Sequence, residues 1–157
     1  MTGRTGVPAK LPPREYADGP SQEQISIVVG EWVHLAEECF RAATILNREG
    51  LSAHQVCFWS QQCIDKYMKA VLVANLIDFP KTHSLDLVFK LMPPDSRPSI
   101  DEAQRRRISG YVAVIEPGGP EVTAADAREA VKIARRIRKE IRGCLPKAAL
   151  RRKRAAR

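Results

Sequence analysis

Seven polar residues spread through the middle of this 157-residue chain could do chemistry: Gln62, Asp65, Lys66, Lys69, Lys81, His83 and Tyr111. The first four sit inside VCFWSQQCIDKYMKAVLVANLIDFPKTHSL, residues 56–85. On a helix, Gln62, Asp65, Lys66 and Lys69 fall within a sector of about 100°. The rest of that helix is apolar on nearly every side, from Val56 through Leu76, as expected of the buried centre of a helical domain. A polar stripe on a core helix needs a solvent-lined groove, a partner chain or a ligand to satisfy it. A groove or dimer interface fits better than a nucleotide pocket. His83 follows in the turn Pro80-Lys81-Thr82-His83. Its imidazole suits acid–base work or contact with a phosphate near Lys81. The plainer alternative is that Thr82 or Ser84 caps a helix while His83 fills a turn. No second catalytic group is apparent, so His83 stands alone as a catalytic candidate.

A second group of candidates is purely electrostatic. The chain carries a net charge of +8, but from Arg128 onward there are 13 basic and 2 acidic residues, and before it 13 basic and 16 acidic. The excess is therefore +11 at the end against −3 in the body. Arg135, Arg136, Lys139 and Arg142 lie on the polar face of the last long helix, and Arg151, Arg152, Lys153 and Arg154 continue it. Such a surface suits the phosphate backbone of RNA or DNA, with steep salt dependence and little sequence preference. An acidic protein or an anionic membrane surface would also be attracted, or the face is simply solvated.

Helices must position these groups. Ser21-Gln24, Ser52-Gln55, Ser99-Glu102 and Thr123-Asp126 each have capping-box spacing ahead of an apolar helical pattern. They predict helices over about 22–49, 53–77, 100–115 and 124–145, with a short one over 85–92 before Pro93-Pro94. The expected fold is all-α: an up-and-down bundle of about five helices, two long antiparallel ones, shorter ones and a long closing helix. Residues 1–20, rich in proline and glycine, read as a disordered leader, 21–145 as the domain and 146–157 as a basic disordered tail. Trp32, Phe40, Phe58, Trp59 and Tyr67 read as core. No apolar run is long enough for a membrane span, and no secretory signal is evident, so a cytoplasmic location is expected. Cys39, Cys57, Cys63 and Cys144 lack paired metal-ligand spacing, and neither a metal nor a cofactor is expected.

The combination of Trp32 and Ala36, CFWSQQCIDKYMKAVL, PKTHSL, Tyr111 and a long Ala-rich helix resembles the HEPN domain of prokaryotes, over about residues 24–143. The resemblance implies a helical bundle that often forms homodimers. In prokaryotes it is frequently encoded beside a minimal nucleotidyltransferase in a toxin–antitoxin-like pair. Some members are metal-independent ribonucleases, and others are non-catalytic nucleotide- or RNA-binding modules. The ribonuclease branch implies an arginine, a polar neighbour and a histidine about six residues on, in the C-terminal half. Here no histidine follows His83, and only Arg48 and His54, at the junction of the first two helices, have that spacing. The resemblance also implies Arg-Tyr-Pro where this chain has Ile115-Glu116-Pro117, and an aspartate where it has Cys39. A non-catalytic binding module is therefore expected; the alternatives are a ribonuclease toxin using His83 with Lys81 or Tyr111, and a purely structural dimerisation module.

Overall fold

A computed structural model describes residues 19–151, and these are helical with no strand among them. Residues 1–18, most of the expected leader, and 152–157, with Arg152, Lys153 and Arg154, lie outside the described residues. Six helices follow in chain order: α1 (Gln22–Arg48), α2 (Ala53–Ala74), α3 (Leu85–Leu91), α4 (Glu102–Ser109), α5 (Ala124–Cys144) and α6 (Lys147–Leu150). Single 3₁₀ turns occupy Pro94–Ser96 and Gly110–Ala113.

The short 49–52 connection folds α1 and α2 into an antiparallel hairpin. Pairs such as Trp32 with Phe79 and Glu37 with Tyr67 run in the opposite order, as that arrangement requires. α5 covers the other side of α2 and runs in the same direction, since Asp126 neighbours Cys57 while Arg142 reaches Tyr67. Enclosed in this way, α2 buries Val56, Cys57, Cys63, Ile64, Tyr67, Met68 and Leu72 against Ile137 and Ile141 of α5. Tyr67 is wholly buried; Trp32, Phe40, Phe58 and Trp59 are half-buried and line the edge of the core.

The helix starts at Ser21 and Thr123 are reciprocal capping boxes, and the Ser52 side chain accepts from the Gln55 amide. α4 departs from expectation. Its N-cap is Asp101, paired reciprocally with Gln104, rather than Ser99. Ser99 is held by α5 instead: its N–H donates to Glu140 Oε2 (2.7 Å) and its carbonyl accepts from Arg136 Nη2 (2.6 Å). α4 also ends at Ser109, because Gly110 disfavours a continuing helix and the chain must tighten toward the 116–119 turn. There Gly119 lies so close to the Ala113 carbonyl that a Cβ would sit 1.8 Å from its oxygen.

α1 and α2 end in the same way, with the N–H of the third residue after the helix returning to a carbonyl five positions back. Leu51 bonds Leu46 and Gly50 bonds Asn47; likewise Ile77 bonds Leu72 and Leu76 bonds Val73. The left-handed position is Gly50 in α1 but Leu76, at φ 56°, in α2. The helical stretch therefore stops three residues short of the expected Ile77. Beyond Pro146 the chain does not fall away at once: α6, expected to lie in the tail, packs on α1 with Ala149 buried against Gly30.

Candidate functional site

The polar stripe of α2 is met by the chain's own 79–84 turn. Lys69 Nζ donates to Asp65 Oδ2 (2.9 Å) and to the Thr82 carbonyl (2.5 Å), and lies 5.8 Å from the centre of the Phe79 ring. Gln61 Nε2 donates to the His83 carbonyl (3.1 Å), Gln62 Nε2 to Gln61 Oε1 (2.8 Å) and Lys66 Nζ to Gln62 Oε1 (2.9 Å). Asp65 and Lys69 are almost fully buried, whereas the His83 side chain is 53% exposed. Its Nδ1 stands 3.3 Å from Asp65 Oδ2, so a buried carboxylate orients an accessible imidazole. Asp65 Oδ1 is buried without a hydrogen-bond partner among the described residues. The turn is shaped by its own hydroxyls. Thr82 Oγ1 accepts from the Ser84 amide, and Ser84 caps α3 by accepting from Leu87.

Lys81 is exposed at the tip of this turn. Tyr111 is placed apart from it, buried among Cys57, Asp126, Arg107 and Glu129, where burial pushes its phenol up to about 12. Burial likewise raises the thiols of Cys39, Cys57 and Cys63, with Cys57 at about 12, so these three behave as core side chains. Among the described residues no group of three or more His, Cys, Asp or Glu could hold a metal ion.

The outer face of α5 carries Arg128, Lys132, Arg135, Lys139 and Arg142 at alternating steps of four and three. At 1.5 Å per residue they form a cationic stripe about 21 Å long. Arg128, Lys132 and Lys139 are exposed and make no ion pair among the described residues. Arg136 lies on a different flank, committed to Ser99, and Arg151 is exposed just beyond α6.

Where the stripe meets α1, four further residues join it. Arg138 grips Glu37 with Nε on Oε1 (2.6 Å) and Nη2 on Oε2 (3.0 Å). Arg142 Nη1 is 3.4 Å from both Glu37 Oε1 and the Tyr67 hydroxyl, and that hydroxyl donates to Glu37. Burial alone would raise the Glu37 carboxyl. The hydrogen bonds from Arg138 and Tyr67 and the charges of Arg138 and Arg142 outweigh it and hold the group below its ordinary value. Phe40 completes the edge, with the guanidinium carbons of Arg138 and Arg135 at 5.1 and 5.7 Å from its ring centre. Glu37 and Arg138 were not among the residues expected from sequence, and Tyr67 was expected only as core. The available signal was that both charged residues border an apolar face, Glu37 beside Val33 and Ala36, Arg138 beside Ala134, Ile137 and Ile141.

A family model, the HEPN domain, matches residues 29–144, which spans α1 to α5. The chain belongs to the HEPN domain family. No curated protein and no solved structure matched it. No helix of this HEPN domain is long and apolar enough, among the described residues, to cross a membrane. Arg48 and His54, the pair with ribonuclease-like spacing, each face an acid instead: Arg48 Nε is 3.0 Å from Glu49 and His54 Nε2 is 3.6 Å from Glu121. Ile115, Glu116 and Pro117 are exposed in the turn after the Gly110–Ala113 segment, and Cys39 is buried. Of the positions where the resemblance implies an arginine or an aspartate, Ile115 and Cys39 carry no charged group.

Proposed function

We propose that this HEPN domain is a non-catalytic module that binds RNA or nucleotide phosphates through α5. It acts in the cytoplasm beside a nucleotidyltransferase-like partner in a toxin–antitoxin-like pair. The observation that carries the binding is the stripe Arg128, Lys132, Arg135, Lys139 and Arg142, four of whose cations have no acidic partner among the described residues. Successive cations lie about 4.5–6 Å apart along the helix axis, and a continuous positive track of this kind can follow a single-stranded phosphate backbone. The sequence adds Arg151, Arg152, Lys153 and Arg154 beyond it. Gln62, Lys66, Lys81 and His83 form a second polar surface, available to the protein partner. Ile27, Leu35 and Ile45, exposed on the outer side of α1, support self-association as a homodimer.

A ribonuclease is the second reading, favoured by one observation: Asp65 orients the accessible His83 ring. The two separate cleanly when purified protein is mixed with RNA in EDTA. Binding without cleavage is expected. Cleavage that disappears in His83→Ala would establish the ribonuclease instead.

A further inference from the structure

Glu37 brings a single negative charge to two guanidinium groups and a phenol. Arg138 presents its fork to both carboxylate oxygens, and Arg142 and Tyr67 converge on Oε1. A guanidinium fork fits two oxygens of a phosphate as well as it fits a carboxylate, and a phosphate offers a third oxygen for the phenol and the second arginine. The cluster is not sealed: the Glu37, Arg138 and Arg142 side chains are each about a third exposed, at 31%, 31% and 30%. It is also continuous with the basic stripe, since Arg142 belongs to both. We propose that Glu37 is an intramolecular competitor for phosphate. Its carboxylate occupies a donor set of Arg138, Arg142 and Tyr67 that takes a backbone phosphate when RNA lies along α5, and it holds that end of the stripe closed until displaced.

As regulation of the α5 surface this rests on the binding function proposed above, but the donor set can be probed without RNA. The experiment measures two ligands against wild type, Glu37→Gln and Glu37→Gln/Arg138→Ala. One ligand is a labelled ten-nucleotide single-stranded RNA followed by anisotropy. The other is inorganic pyrophosphate followed by the Arg138 Nε–Hε resonance and, in the double variant, by that of Arg142, which every variant retains. Removing one competing carboxylate at a partly exposed site is expected to tighten both about two- to fivefold, with the gain abolished in the double variant. If folded Glu37→Gln binds both ligands no better than wild type, the competitor role is overturned. If RNA fails to bind any variant while Glu37→Gln gains pyrophosphate affinity, the RNA function falls and the competitor role stands. Should Glu37→Gln not fold, wild type decides: a saturable pyrophosphate shift of the Arg138 resonance supports the site, and no shift overturns it.

Discussion

Asp65 and Lys69 are buried together on α2, and each depends on the other because neither can return to water without opening the 79–84 turn. Lys69→Ala strands the carboxylate, which costs about 3–5 kcal/mol. Urea unfolding of that variant should show the loss, and a change below about 1 kcal/mol would mean that water already reaches Asp65. The four polar residues of α2 were visible in the sequence as an interruption of an apolar helix. The Asp65–Lys69 spacing of four was visible as well, but the turn that closes over the stripe was not, because Lys69 and the neighbouring Gln61 reach the main-chain carbonyls of Thr82 and His83. Backbone acceptors leave no side-chain signature. The Glu37–Arg138 contact was hidden for a different reason. It joins residues 101 positions apart, and only the packing of α5 beside α1 makes them neighbours.

Helix starts were more legible than helix ends. Ser21, Ser52 and Thr123 announce themselves because a capping side chain acts within three residues of its own position. Asp101 displaced Ser99 because Ser99 is bound to Arg136 and Glu140 of α5, a tertiary competition that local spacing cannot show. At the C-termini, Gly50 gave its stop away, whereas α2 uses the same closing hydrogen bonds with a leucine at the left-handed position. A non-glycine residue there costs about 1–2 kcal/mol, part of which glycine forfeits through greater freedom in the unfolded chain. Leu76 is 37% exposed, so its side chain is only partly packed. Leu76→Gly should therefore raise stability by about 0.5–1 kcal/mol in thermal or urea unfolding. A loss of stability would show that its remaining apolar contacts outweigh the backbone strain.

The molecule as a whole divides its charge between a slightly acidic body and a strongly basic end. The structure gives that end a shape: a straight cationic stripe on α5, with one edge held by Glu37, Phe40 and Tyr67 of the hairpin. The amphipathic pattern of α5 was readable from the sequence, since apolar Ala130, Ile133, Ile137 and Ile141 separate cleanly from the cations. Which of those cations are free and which are committed within the fold was not readable. The most direct test of phosphate binding through this stripe is the salt dependence of affinity for a single-stranded RNA in EDTA. Five phosphate contacts at about 0.7 per contact give a log–log slope of about −3.5. Lys132→Ala/Lys139→Ala, which removes two contacts, should reduce the slope to about −2 and weaken binding at low salt, with the RNA left intact. An unchanged slope and affinity in that double variant would contradict binding through α5.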